Sequence, residues 1–157
     1  MHVKTTLLVK GKTQLHALIK IDELLNDPRF APWSDWSVIG GRWEELYEDS
    51  VLSHKTNPDK FMDEIKNCLV ARTEEYSSYE KSLEELKLKH KDESSYYSSL
   101  VEFYEEQIKK FVNNTIEFDQ CAYIYDVENK TVEITKMLED IHTGATNWHA
   151  VIVDFHC

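Results

Sequence analysis

Between Asn57 and Val112 the chain contains no glycine, and its one proline, Pro58, stands where the first turn of a helix tolerates it. A stretch of that length without a breaker folds most readily as long helices. Its seam positions agree. Phe61, Ile65, Cys68 or Leu69, Arg72, Tyr76, Tyr79, Leu83 and Leu86 recur at spacings of three and four behind a candidate cap at Asn57. The pattern lapses at Asp92-Glu93-Ser94-Ser95, and Tyr97, Leu100, Val101, Tyr104, Ile108 and Phe111 then form a second seam. Two helices joined by a short turn predict an antiparallel hairpin, either a projecting arm for a partner or a layer lying on a sheet. The same seam would also pair two copies of the chain as a homodimer.

The flanks have β character. In His2 to Lys10, Val3, Thr5, Leu7 and Val9 alternate as in a strand buried on one face. After Gly11-Lys12, residues Thr13 to Asn26 place Leu15, Leu18, Ile19, Leu24 and Leu25 at helical spacing, with Thr13 as N-cap and Asp27-Pro28 as the stop. Trp36 to Trp43 predicts a second strand interrupted at its glycines, and Glu44 to Asp49 is either a short helical turn or a solvated face. Gln120 to Val127 and Thr131 to Thr135 read as a hairpin about Glu128-Asn129-Lys130, with a short helical or irregular link from Lys136 to Ile141. Asn147 to Cys157 is a β-branched, nearly continuous apolar strand, the signature of a central position.

The expected fold is α+β in one domain over residues 1–157. A mainly antiparallel sheet, related to the ferredoxin-like βαββαβ pattern with helices against one face, is built from core segments 1–55 and 114–157, and the helical hairpin 56–113 is inserted into it.

Net charge is −11, and the acidity is densest in residues 113–157, where Lys130 and Lys136 are the only basic side chains. No Lys/Arg-rich run exists, so direct nucleic-acid binding is disfavoured and basic partners are favoured. Apolar runs are too short to cross a bilayer, and the amino terminus lacks a signal-peptide cleavage pattern. Cys68, Cys121 and Cys157 form no paired spacing, which fits a reduced, cytoplasmic setting. The seven histidines include no HExxH or Cys/His pair, and no phosphate loop, dinucleotide fingerprint or nucleophile elbow is present, so neither metal nor cofactor is indicated.

Two places depart from plain apolar patterning. In Trp33-Ser34-Asp35-Trp36-Ser37-Val38-Ile39-Gly40-Gly41-Arg42-Trp43, Trp rings, adjacent glycines and a guanidinium are crowded together. That suits a packed corner, or a ligand site in which Trp36 or Trp43 stacks on a base, Arg42 holds a phosphate and the Gly40-Gly41 amides approach the anion. In the last strand, Asp154 and His156 project from one face, as a carboxylate orienting an imidazole does, or simply as the solvated strand end. The two places are expected to share a pocket holding Arg42, Asp154 and His156.

These two segments resemble a group of small uncharacterised proteins of bacteriophages and bacteria that share D-W-x-x-I-G-G-R-W and end in V-D-x-H. The matching positions are Asp35, Trp36, Ile39, Gly40, Gly41, Arg42 and Trp43, then Val153, Asp154 and His156. The helical segment has no counterpart in many members, and their Gly-Lys-Trp-like hairpin is reduced here to Glu128-Asn129-Lys130. The resemblance implies no activity. It implies a mobile-element setting in a bacterial host cell and a fixed relation between the glycine segment and the final strand.

Two functions follow as expectations. The first is a non-enzymatic anti-defence inhibitor that blocks a host immune effector such as a CRISPR nuclease. Its contacts would come from Glu44, Glu45, Glu48, Asp49, Glu102, Glu105 and Glu106, set against a host protein's basic nucleic-acid-binding surface. The alternative is a protein that sequesters a nucleotide signal at Trp36, Gly40, Gly41, Arg42 and Trp43, or cleaves it with Arg42, Asp154 and His156.

Overall fold

The computed structural model describes residues 1–46, 50–89, 95–112, 124–128 and 134–157. The alternating segment His2–Lys10 forms strand β1 and the apolar segment Trp148–His156 forms strand β5. They pair antiparallel along their whole length, from His2 beside His156 to Lys10 beside Trp148. Strand β2, Trp36–Ile39, and strand β3, Val51–Ser53, pair antiparallel with successive stretches of β5 on its other side. They form a single edge, interrupted by an excursion that opens at Gly40 and closes at Ser50. A 3-10 helix, Gly41–Leu46, occupies the described part of that excursion. On the opposite edge, strand β4, Ile124–Asp126, runs parallel to β1.

The architecture is α+β with a mostly antiparallel sheet and a long helix pair. Like the βαββαβ pattern, it sets the first strand between a parallel neighbour, β4, and the antiparallel last strand. It differs in its second strand, which lies beside β5. A tight hairpin would tie that strand to β4. Here two long helices intervene and leave it free to take the other edge.

Helices cover both faces of the sheet, not one. On the first face, Val3, Leu7, Val9, Val151, Val153 and Phe155 pack against Ala17 and Ile21 of helix α1, Gln14–Leu25. Thr13 caps α1 by accepting the His16 N–H at 3.2 Å. The inward stripe is shifted from the one read in the sequence: Ala17 and Ile21 are buried, whereas Leu15 and Ile19 stand exposed. On the second face, Leu8, Leu52, Ile124, Trp148 and Ala150 meet Phe61, Ile65 and Cys68 of helix α2, Pro58–Lys89, and Met137 of helix α4, Ile134–Thr143. The β5 residues alternate between the two cores, which explains a strand apolar at nearly every position.

The hairpin expected about Glu128-Asn129-Lys130 is corrected in part. Ile134 and Thr135 open α4 and belong to no strand, while residues 120–123 and 129–133 lie outside the described residues. Strand β4 finds its partner in β1, and a parallel neighbour removes the need for a tight turn back.

The helical hairpin has two regimes. All the buried residues of α2, namely Phe61, Glu64, Ile65, Cys68 and Arg72, fall in its first half, which is therefore part of the core. Beyond Arg72, α2 packs against helix α3, Ser95–Val112. Tyr79 meets Phe103, Tyr104 and Phe111, Tyr76 meets Phe111, and Lys87 pairs with Glu105 at 2.7 Å. The seam thus pairs within one chain. No helix among the described residues is long and apolar enough to cross a membrane.

Candidate functional site

The antiparallel register of β1 and β5 decides what gathers at one end of the sheet. His2 lies opposite His156, Lys4 opposite Asp154, Trp36 of β2 opposite His156, and Val38 opposite Asp154. All six side chains project from the sheet's second face. Chain residues from positions 2, 36 and 156 thereby become neighbours.

Asp154 is the anchor. It is buried on the central strand, and its Oδ1 lies 2.9 Å from Nδ1 of His2. Its Oδ2 accepts the backbone N–H of Arg42 at 3.2 Å. The glycines make this approach possible. Gly40 and Gly41 have φ of +76° and +55°, and a Cβ on Gly41 would stand 2.5 Å from Cβ of Asp154. The Gly40 N–H donates to the Ile152 carbonyl at 2.8 Å, fixing the segment to β5. The relation expected between the glycine segment and the final strand is a main-chain clamp on Asp154.

A second carboxylate–imidazole pair stands beside the first. His156 Nδ1 lies 3.3 Å from Oδ2 of Asp35, and Trp36 stacks on the His156 ring with planes 2° apart and centroids 5.3 Å apart. The His2 ring meets both edge-on, 4.9 Å from His156 and 5.4 Å from Trp36. With each Nδ1 turned to a carboxylate, each Nε2 is the nitrogen left to meet a ligand.

The pairing differs from the one read in the sequence. The imidazole held by Asp154 belongs to His2, its diagonal neighbour across the β1–β5 pair, a separation that a ring side chain spans. His156 takes Asp35 instead. The guanidinium of Arg42 is exposed and has no ion-pair partner among the described residues; the Arg42 main chain is what reaches Asp154. Trp43 is partly exposed on the 3-10 helix, where its N–H donates to the Gly40 carbonyl at 3.1 Å. Glu44 and Glu45 are exposed on the same helix, and Glu48 and Asp49 lie outside the described residues. Glu102, Glu105 and Glu106 are exposed on α3, where Glu105 pairs with Lys87 and Glu106 lies 3.9 Å from Lys110.

The same face carries a polar group that sequence reasoning missed. Glu64 of α2 is fully buried; its carboxylate accepts from Thr6 Oγ1 at 2.6 Å and lies 2.9 Å from Lys4 Nζ. The Cys68 thiol donates to Thr6 Oγ1 at 3.4 Å, and burial, together with the Glu64 charge, pushes its pKa up to about 12. That thiol is a packed hydrophobe with no thiolate to offer. The heptad-like seam gave no hint of Glu64, since its neighbours make any Glu on α2 look solvated.

At the opposite end of the sheet, His149 is fully buried, and its Nε2 meets the Gly11 carbonyl at 3.0 Å. Desolvation is the main cause that lowers its pKa, with His54 and His16 adding to the effect against the Gly11 contact. A lowered pKa in the fold means that the unfolded chain takes up the proton first as pH falls. His149 thus supports the fold above the ordinary histidine value of about 6.5, and that support is lost as pH drops below it. Urea denaturation at pH 7.5 and pH 5 should show a loss of stability on acidification that becomes smaller in His149→Leu; an equal loss in the variant would remove His149 as the cause.

Comparison with protein-family models, with curated proteins and with solved structures gives no match for this chain. The site is therefore read from its own chemistry: two anchored imidazoles whose Nε2 atoms have no partner among the described residues, an indole 46% exposed at their rim, and a guanidinium with no ion-pair partner among the described residues.

Proposed function

We propose that the protein binds a nucleotide at this end of the sheet. The observation that carries the reading is the pair of imidazoles, 4.9 Å apart and each held by its own carboxylate, beside an exposed Trp36. Two imidazole N–H groups and the Arg42 guanidinium suit the oxygens of a phosphate, and the indole suits a base. The Asp154–His2 pair would also equip the site for proton transfer, one imidazole taking a proton from an attacking hydroxyl while the other gives one to the leaving oxygen.

The test is a calorimetric titration with linear and cyclic nucleotides, with the same mixtures assayed for cleavage. We expect binding to weaken about tenfold in His2→Ala, His156→Ala and Trp36→Ala, in proportion to the loss of an anchoring contact. Wild-type protein that binds none of the nucleotides, or variants that bind as well as wild type, would refute the assignment.

A second reading rests on the hairpin, whose half beyond Arg72 packs on itself and presents Glu102, Glu105 and Glu106 to solvent. In this reading the protein is an acidic adaptor, an anti-defence inhibitor of a host effector such as a CRISPR nuclease, and Glu44 and Glu45 extend the contact. Binding of that kind weakens steeply with salt, so affinity for a captured effector that is unchanged between low and high ionic strength would exclude charge mimicry.

A further inference from the structure

Far from the paired imidazoles, at the end of the sheet where β1 leaves for α1, three turns converge on a cavity of about 460 Å³. The β1–α1 turn supplies Lys10, Gly11 and Lys12, the first turns of α1 supply His16, the β3–α2 turn supplies Lys55, and the loop before β5 supplies Thr146 and Asn147. We infer that this cavity binds a small polyphosphate anion, with Lys12 and Lys55 as its principal ligands.

The chain is acidic overall, with 29 Asp and Glu against 18 Lys and Arg, yet no carboxylate is among the described residues lining this cavity. Lys10 is neutralised from outside it, by Glu128 at 3.6 Å and Asp140 at 3.5 Å, and its ammonium also lies over the Trp148 ring. Lys12 and Lys55 are exposed and have no acidic partner among the described residues. The amino end of α1 adds to the positive field, since its first turn contains no acidic residue to offset the helix dipole. Bringing these charges together is unfavourable by itself; an anion of several charges relieves the repulsion, and multiple ammonium groups are the ordinary complement of phosphate chains.

The cavity wall is tied in place without the lysines. The Gly11 N–H donates to the Asn147 carbonyl at 3.0 Å, Asn147 Nδ2 donates to the Lys12 carbonyl at 3.3 Å, and Ser53 Oγ donates to Asn147 Oδ1 at 3.2 Å. Asn147 thus ties all three turns together, and the two lysine side chains are left to move onto a ligand. The volume lies within the range of small-molecule sites, roughly 300–1,000 Å³. The sequence hid this patch because Lys12 and Lys55 belong to different strand–helix turns and form no basic run.

Inorganic pyrophosphate is the probe, titrated calorimetrically into wild type, Lys12→Glu/Lys55→Glu, Lys12→Gln/Lys55→Gln and His2→Ala/His156→Ala, with thermal unfolding of each as a check on folding. We expect wild type to bind, the charge reversal to weaken binding about tenfold or more, the neutral pair to fall between, and the imidazole variant to match wild type. Failure of wild type to bind pyrophosphate, or undiminished binding by the two folded lysine variants, overturns the inference. Loss confined to the imidazole variant also overturns it, by placing the anion at the other end of the sheet. Because the two ends are tested by separate variants, the nucleotide reading can fail while this one holds.

Discussion

Gly41→Ala should lower the melting temperature on the order of 10 °C and loosen the site, whereas Gly144→Ala should have a much smaller effect. Both glycines have positive φ, +55° and +68°, so both substitutions meet the left-handed backbone penalty of about 1–2 kcal/mol. They differ in what the new methyl group meets. At Gly144 nothing among the described residues lies within 4 Å, but at Gly41 the methyl would stand 2.5 Å from Cβ and 2.6 Å from Oδ2 of Asp154. Asp154 cannot yield, because β5 is paired on both sides and Asp154 itself is 1% exposed. Overpacking of this kind adds about 1–3 kcal/mol. Each kcal/mol is worth about 2–4 °C in a chain of this size. The same displacement would draw the Arg42 N–H away from Asp154, so the nucleotide binding proposed for this site should fall with stability. Thermal unfolding of the two variants side by side decides the matter, and equal shifts would mean that the close approach is not a constraint on the fold.

How much of this was legible in the sequence depended on whether the signal was local. The long helices, the cap at Thr13, the central last strand and the interruption at Gly40-Gly41 follow from spacing and backbone chemistry within a few residues, and all are present. What escaped was set by register and by facing layers. Val51–Ser53 is too short to announce itself, and it becomes strand β3 because β5 offers it an edge. His2 looked like the first residue of a strand until the antiparallel register put it beside Asp154 and His156. The segment 33–43 and the pair Asp154 and His156 stand out by their unusual composition, and the structure brings Asp35, Trp36, the Arg42 main chain, Asp154 and His156 together. The guanidinium's task was the part that composition could not assign. Lys12 and Lys55 stood apart in sequence for the same reason as His2: only the topology makes them neighbours.

Lys4→Met should be the most damaging single substitution on the second face, and a compensating change at Glu64 should undo most of the damage. The Glu64 carboxylate is fully buried between α2 and β1, held by Lys4 at 2.9 Å and by Thr6 at 2.6 Å, whereas the Lys4 side chain is 28% exposed. The two partners are therefore not equivalent. Removing Glu64 leaves an ammonium that can turn to water on its flexible stem, and Glu64→Gln should be mild. Removing Lys4 takes away an ammonium that lies 2.9 Å from a buried carboxylate, and breaking a buried pair in that way costs about 3–5 kcal/mol. Replacing both partners by apolar residues of similar volume removes the desolvation cost together with the attraction, so Lys4→Met/Glu64→Leu should recover most of the wild-type stability. The Thr6 hydroxyl then loses its acceptor, and adding Thr6→Val should restore the remainder. Lys4 is also the cross-strand neighbour of Asp154, so the pair joins the core of the second face to the anchor of the imidazole site. A double-mutant cycle by urea denaturation measures the coupling, expected at about 2–3 kcal/mol for contacting charged residues. Additive losses would show that Glu64 is stabilised by its other neighbours, and that Lys4 is a surface charge with no structural part in the site.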